Sequence, residues 1–188
     1  HKIYDRHTKT VPFTLILACF DLFADGQPAK KDFYEPEKTS MILVDIGIFA
    51  HNESAGIRAM LRNLLVQELF REPAFDVHLH VLANGCTDAT VAEAQQAISE
   101  HGATIHATVH DLPEGGKSRT WNRFVHDISR PEAETLAFLD ADIYIPQTHM
   151  LRDLCNFLIT SPSLAGASSR PVKDIAHEPS KETLKKTF

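Results

Sequence analysis

The stretch M-I-L-V-D-I-G-I-F-A, residues 41–50, decides the fold class. It is an almost continuous apolar run with β-branched residues, which is typical of a buried strand. Residues 54–70 follow with apolar side chains at helical spacing, so they predict an amphipathic helix. A buried strand followed by such a helix is the repeating unit of an α/β protein with a parallel sheet.

The same alternation continues toward the C-terminus and predicts an α/β fold. Its sheet is expected to be Rossmann-like and mostly parallel, with helices on both faces. Ligands of such sheets bind beyond the carboxyl ends of the strands, so functional residues are expected directly after each strand. Further strands are predicted at 75–83, 103–109, 134–140 and 164–170, and further helices at 88–101, at 117–128 and after Pro146.

Residues 1–40 differ in composition from the rest of the chain. An apolar run at 11–20 precedes a polar segment at 25–40 that holds two prolines, which is typical of a linker or an extended arm. The segment 1–40 is interpreted as an N-terminal extension, a vector-derived piece or a strand that pads the fold. Residues 41–188 are then the α/β domain.

Composition narrows the classes of function. Lys and Arg total 19 against 25 Asp and Glu, a net charge of −6, which disfavours a nucleic-acid-binding surface. No stretch reaches the ~18 apolar residues of a membrane span. The three cysteines are far apart and form no C-x-x-C pair, which argues against a zinc ribbon or a disulfide framework. Reduced thiols favour a cytoplasmic protein, with the inner face of the membrane as a further possibility.

Two carboxylates, Asp140 and Asp142, end the strand at 134–140. In an extended chain, residues i and i+2 point the same way, so these acids repel each other unless a cation lies near them. Mg²⁺ or Mn²⁺ suits such oxygen ligands and tends to bring a diphosphate as a further ligand. The alternative is a helix cap or a turn with solvated acids. An EF-hand is excluded, because Ile145 stands where that loop needs glycine.

The other polar residues after the strands each allow an ordinary structural interpretation. Lys117 in G-G-K-S could meet a phosphate, meet an acidic partner or simply be solvated, and a P-loop is rejected because Asp111 stands where its first glycine is required. Asn52 and Asp88 suit helix caps, and Asn84-Gly85 suits a tight turn.

His78 and His80 alternate in the strand at 75–83 and share a face. Two ligands do not make a zinc site, and no third ligand is close in sequence. They are therefore interpreted as packing or surface residues.

Four segments, taken in order and at this spacing, resemble a family 2 glycosyltransferase of the GT-A fold. They are I-G-I-F-A-H-N-E, V-L-A-N-G-C-T-D-A-T, G-G-K-S-R-T-W-N and F-L-D-A-D-I-Y-I-P, and the resemblance spans about residues 42–172. The resemblance implies a divalent cation, Mn²⁺ or Mg²⁺, held by Asp142 and Asp140. It implies contacts to a nucleotide sugar from His51, Asn52, Glu53, Asn84, Asp88, Lys117 and Asp140.

What the resemblance implies about function is a metal-dependent, inverting transfer of a sugar from a nucleotide-sugar donor to a hydroxyl group. The acceptor would be a carbohydrate, a lipid or a small molecule, as in polysaccharide biosynthesis. In the family, the catalytic base and the acceptor-binding elements follow the part equivalent to 165–172, and only sixteen residues remain after Val172. A truncated domain, or a non-catalytic module that binds nucleotide sugars, is therefore the alternative, and a nucleotidyltransferase ranks third.

Overall fold

The computed structural model describes residues 16–19, 41–101, 105–161 and 163–169 of the 188-residue chain. The strands are β1 (Ile16–Cys19), β2 (Ile42–Ala50), β3 (Phe75–Asn84), β4 (His106–Leu112), β5 (Thr135–Asp140) and β6 (Gly166–Ser168). The helices are α1 (Ile57–Leu65), α2 (Thr90–His101), α3 (Lys117–Arg123) and α4 (Met150–Ile159), with a 3-10 turn (Glu68–Arg71) and a π-helical turn (Phe124–Ile128).

The six strands of the described residues form one sheet in the order β4-β3-β2-β5-β1-β6. The first four strands of that order are parallel, and β1 pairs antiparallel with both β5 and β6. The predicted α/β class with a mostly parallel sheet is confirmed. The chain runs outward from β2 through β3 to β4 and then returns to the other side of β2, so the direction of winding changes between β2 and β5.

Each face of the sheet has its own hydrophobic cluster. On one face α1, α2 and α4 bury a large aliphatic cluster against the sheet, with Ile46, Leu61 and Leu79 almost fully buried. On the other face, α3 and the π-helical turn cover a smaller aromatic cluster around Phe124 and Phe138. Helices therefore cover both faces, as predicted from the alternation of strands and helices.

Several element bounds differ from those expected. The helix predicted at 54–70 ends at Leu65, because Gln67 adopts an extended backbone before the 3-10 turn. β4 continues to Leu112, beyond the predicted end at 109. The helix predicted at 117–128 changes at Phe124 into the π-helical turn.

The terminal segments are described only in part. Residues 16–19 form an antiparallel strand inside the sheet, which corresponds to the padding-strand interpretation of that part of 1–40. The predicted linker at 25–40 and the charged tail at 178–188 lie outside the described residues. The division of the chain at residue 40 stays a prediction.

The described helices and cysteines bear on two expectations from the sequence, the absence of a membrane span and the absence of a disulfide framework. Among the described helices, none is long and apolar enough to cross a lipid bilayer. Cys86 and Cys155 are free thiols. Burial raises the pKa of Cys155 to about 12, so this thiol is unreactive at neutral pH.

Candidate functional site

The polar residues singled out from the sequence meet at one edge of the sheet. The carboxyl ends of β2 and β5 lie side by side, with Phe49 paired to Asp140 and the N–H of Ala141 donating to the carbonyl of Phe49 at 3.2 Å. This is also where the direction of winding changes, the place at which open α/β sheets bind ligands.

The loops that follow β2 and β3 are hydrogen-bonded to each other. Asn52 has a left-handed backbone, φ 55°, which turns its side chain so that Oδ1 accepts the N–H of Thr87 at 2.8 Å. The N–H of Glu53 donates to Oγ1 of Thr90 at 2.8 Å. Asparagine tolerates a left-handed backbone, as at Asn52, better than most residues do. Asn52 and Glu53 are therefore held in fixed positions by the neighbouring loop.

Asp88 joins the same two loops through its carboxylate. Oδ2 accepts the N–H of Ser54 at 3.1 Å, and Oδ1 accepts the N–H of Thr90 at 3.0 Å as well as the Thr90 hydroxyl. These hydrogen bonds, the Thr90 hydroxyl first, hold the pKa of Asp88 far below its usual range. In this arrangement Asp88 ties the β2 loop to the start of α2.

Asn84 is buried at the end of β3, and its side-chain amide bonds to main chain on two sides. Nδ2 donates to the carbonyl of Ala50 at 2.8 Å, and Oδ1 accepts the N–H of Gly116 at 3.3 Å. The main-chain carbonyl of Asn84 accepts Nδ1 of His51 at 2.7 Å, so that nitrogen carries the proton. These contacts give Asn84 a positioning role, and its reading of a base stays a prediction.

The two glycine-containing loops pack main chain against main chain. Gly85 has φ +58°, and a Cβ built on it would lie 2.8 Å from the N and Cα atoms of Gly115. The N–H of Gly85 donates to the carbonyl of Leu112 at 2.7 Å. Only glycine fits at position 85, so the loops after β3 and β4 form one surface.

Lys117, the first residue of α3, forms an ion pair with Asp140 at the end of β5. The Asp140 side chain is 15% exposed and that of Lys117 is 57% exposed. The acidic-partner interpretation of Lys117 therefore describes this structure. Since its side chain is largely in solvent, Lys117 can also reach an anionic ligand at the same edge.

Negative charge accumulates beside Asp140. Burial raises the pKa of Glu53, and the nearby carboxylates of Asp142 and Asp88 raise it further. Asp142 is exposed. Repulsion between like charges is relieved by a cation, and carboxylate oxygens suit Mg²⁺ and Mn²⁺. The carboxylates of Asp140 and Asp142, with Glu53 nearby, therefore offer the kind of oxygen donor that a hard divalent ion prefers.

A cavity of about 400 Å³ opens beside the Lys117–Asp140 pair. Its aromatic wall contains Trp121, whose ring stacks on Phe138 with centroids 4.1 Å apart. Asn122, part of the G-G-K-S-R-T-W-N segment, also lines the cavity. Trp121 was not singled out from the sequence, although a tryptophan one helical turn after Lys117 was a visible signal for an aromatic surface at the same edge.

The predicted site residues thus fall into two connected groups. His51, Asn52, Glu53, Asn84 and Asp88 are joined by hydrogen bonds around the ends of β2 and β3. Lys117 and Asp140 are joined by their ion pair, with Asp142 two residues further along. Among the described residues, the three potential ligands whose donor atoms all lie within 4.8 Å of one another are elsewhere, at Asp45, His78 and His80.

The fold and this edge together define an α/β domain with a candidate ligand site at the carboxyl ends of its parallel strands. The family model described as "Glycosyltransferase like family 2" matches residues 44–179, most of the chain. The chain belongs to this family. No curated protein gives a significant match.

Solved structures show the same fold. The mannosyltransferase PcManGT from Pyrobaculum calidifontis, solved with GDP-Man and Mn²⁺, is 20% identical with a TM-score of 0.53 and covers 69% of this chain. TarS 1–349 from S. aureus, also solved with UDP, is 20% identical with a TM-score of 0.51 and covers 64% of this chain. The match spans 36% and 33% of those proteins, about a third of their lengths. The fold is therefore GT-A-like.

Proposed function

We propose that this chain binds the donor of a metal-dependent, inverting glycosyltransferase. The observation that carries the proposal is the group of carboxylates around Glu53, Asp140 and Asp142 at the β2–β5 edge, where burial and the carboxylates of Asp142 and Asp88 raise the pKa of Glu53. Cation binding there would be favoured because it relieves that repulsion. The ligands of the matched structures, GDP-Man with Mn²⁺ and UDP, support a nucleoside diphosphate as the partner.

Each predicted residue then has a physical role. Asp142 and Asp140 would hold Mn²⁺ or Mg²⁺, which supplies positive charge to the leaving diphosphate. Lys117 would share its ammonium group between Asp140 and a phosphate oxygen. His51, Asn52 and Glu53 would contact the nucleotide sugar from the β2 loop, and Asn84 and Asp88 keep that loop in place.

The reaction that fits this arrangement is a displacement at the anomeric carbon. A hydroxyl oxygen of the acceptor attacks that carbon from the side opposite the diphosphate. The bond from the anomeric carbon to the diphosphate oxygen breaks, and a carboxylate base takes the hydroxyl proton. The acceptor class, whether carbohydrate, lipid or small molecule, and the cytoplasmic location stay predictions from the sequence.

A non-catalytic module is the second candidate. The sequence left this alternative open, and the part of the solved structures that the chain matches is about a third of their length. Such a module would bind the donor without releasing the sugar. Donor hydrolysis therefore separates the two candidates.

The test is a calorimetric titration with GDP and UDP, with and without Mn²⁺, on the full chain and on Asp142→Ala. We expect Mn²⁺-dependent binding that falls about ten-fold or more in the variant, equivalent to about 1.4 kcal/mol, with an unchanged melting temperature. Glu132→Ala removes an exposed acid before β5, at the opposite end of that strand, and serves as the control. Metal-independent binding would contradict the role given to Asp142.

A further inference from the structure

A second cluster of polar side chains lies in the middle of the sheet, on the face that α3 and the π-helical turn only partly cover. β3 and β4 place four histidines together here, His78, His80, His106 and His110, and the ring centroids of His78 and His106 are 4.9 Å apart. His80 lies four residues before the end of β3, about 13 Å from the carboxyl edge at ~3.3 Å per residue. The cluster is thus separate from the candidate donor site.

Asp45 of β2 completes the cluster as a third potential ligand. One donor atom each from Asp45, His78 and His80 lies within 4.8 Å of the other two. A tetrahedral zinc ion has donor atoms about 3.3 Å apart, as follows from bonds of ~2.0–2.1 Å. Small side-chain rotations would therefore bring these three groups onto one ion.

His80 presents an unused nitrogen to this position. The residue is 7% exposed, and Nε2 has no hydrogen-bond partner. The nearest carboxylate oxygen is Oδ2 of Asp45 at 3.6 Å, beyond hydrogen-bond distance. A buried polar atom with no partner is costly, and a metal ion between it and Asp45 would give Nε2 a partner.

Two of the three ligands are already oriented by outer partners. Nδ1 of His80 lies 3.1 Å from Nε2 of His110, so a proton on Nδ1 would leave Nε2 free to bind a metal. Arg130 donates from Nε to Oδ1 of Asp45 at 2.8 Å and from its main-chain N–H to Oδ2 at 2.6 Å. Such outer partners are typical of metal sites in proteins.

The local charge also favours a cation. The guanidinium of Arg130 is one positive charge that faces two carboxylates, those of Asp45 and Asp76. One negative charge therefore remains beside the imidazole rings. The side chain of His78 is 32% exposed, which gives an ion a path from solvent.

We propose that Asp45, His78 and His80 bind a divalent late transition ion of the Zn²⁺ class. Imidazole and carboxylate donors select such ions over Mg²⁺ and Ca²⁺. The three protein ligands leave a fourth tetrahedral position for water. The bound ion fastens β2 to β3 away from the reaction edge, so its role is structural and does not depend on the proposed function.

The test uses zinc binding to the full chain. ZnCl₂ is titrated calorimetrically, the melting temperature is followed against zinc concentration, and Co²⁺ is added to look for the visible absorption of a tetrahedral site. His78→Ala is the main variant, because His78 is partly exposed while an Asp45 variant would also lose the bonds to Arg130. His126→Ala removes an exposed histidine elsewhere and is the control for adventitious zinc binding.

We expect one zinc equivalent to raise the melting temperature of the wild type and of His126→Ala, with affinity about ten-fold or more lower in His78→Ala. Asp142→Ala should keep the zinc effect, and His78→Ala should keep Mn²⁺-dependent GDP binding. Equal zinc affinity in the wild type and His78→Ala would overturn the proposal, and so would an equal loss in His126→Ala.

Discussion

The two faces of the same strands are stabilised in different ways. Toward α1 and α4, β2 presents Val44, Ile46 and Ile48, all fully buried. Toward the π-helical turn, the same strand presents Asp45 and Gly47. Burial of the first face is non-directional and tolerates changes of shape. The second face depends on one carboxylate bonded to Arg130 and on one aromatic ring over a glycine.

The difference teaches that a strand can be buried on both faces and still be more sensitive to a substitution on one of them than on the other. On the aliphatic face, deletion of a methyl group removes a small amount of apolar contact. On the polar face, deletion of the Arg130 side chain leaves the buried carboxylate of Asp45 without its guanidinium partner. The two faces should therefore give very different free energies of unfolding for substitutions of similar size.

The largest effect is expected for Arg130→Met. It removes the side-chain donors to Asp45, Asp76 and the carbonyl of Val44, and Asp45 is fully buried. Loss of one partner of such a pair should lower the free energy of unfolding by about 3 kcal/mol or more. Urea denaturation measures it.

Ile46→Val, on the opposite face of the same strand, is the control and should cost about 1 kcal/mol. The double variant Arg130→Met, Asp45→Leu should recover part of the loss, since no buried charge is left unpaired. If Arg130→Met costs no more than Ile46→Val, the two faces do not differ as described.

Gly47→Ala should have the next largest effect. A Cβ at this position would lie 2.9 Å from the ring of Phe124, which is fully buried. Overpacking of this kind should cost about 2 kcal/mol in urea denaturation. Adding Phe124→Leu should restore part of the stability if the ring is the cause.

Gly56→Ala is the matched control for Gly47→Ala. A Cβ at Gly56 meets nothing within 4 Å, and its φ of −111° is allowed for alanine. We expect no loss and a small gain of stability. An equal loss in both variants would contradict the packing explanation.

A smaller effect is expected for Asn63→Ala, a polar residue on α1 beside the aliphatic face. Its amide accepts the N–H of Ile145 at 2.8 Å and donates to the carbonyl of Ile145 at 3.0 Å. Loss of both bonds should cost about 1–2 kcal/mol. It should also weaken Mn²⁺-dependent GDP binding, because Ile145 anchors the segment that carries Asp142. Asn156→Ala, exposed on α4, should change neither quantity.

The smallest effect is expected for Glu100→Gln on α2. Its carboxylate accepts hydrogen bonds from Arg62 and Arg58 of α1, and these cations, Arg62 first, lower the pKa of Glu100 from 4.5. A carboxylate whose pKa is lower in the folded state stabilises the fold at pH values above its pKa in the unfolded chain. This stabilisation is lost as the pH falls through the pKa of the folded state. The variant should therefore melt slightly lower than wild type at neutral pH and equally at acidic pH. A difference that persists in acid would exclude this cause.

Much of the fold could be predicted from local patterns, because period-2 and period-3.6 spacing reflect local geometry. The strand at 41–50 and the helix at 88–101 were both found within two residues of β2 and α2. The end of α1 could not be found, because Leu69 and Phe70 continue the helical spacing through the 3-10 turn. Apolar periodicity does not distinguish these two kinds of helix.

The candidate site was predictable only as a set of residue types at one edge. A sequence pattern does not specify the directions of side chains. It therefore could not predict that Lys117 pairs with Asp140 or that the amide of Asn84 bonds to main chain. Asp45 and Arg130 are 85 positions apart in the sequence, so no local pattern could predict their contact. For the same reason the sequence showed no third ligand beside His78 and His80, although Asp45 lies in the predicted strand at 41–50.

The contact between Gly85 and Gly115 has a consequence for the kinetics of ligand binding. Together with the side-chain amide of Asn84, which bonds to main chain on two sides, it holds the ends of β2, β3 and β4 against one another. A preorganised rim of this kind has little conformational entropy left to lose when a ligand arrives. Ligand association at this rim should therefore follow a single exponential, without a slow isomerisation step. Its observed rate constant should rise linearly with ligand concentration.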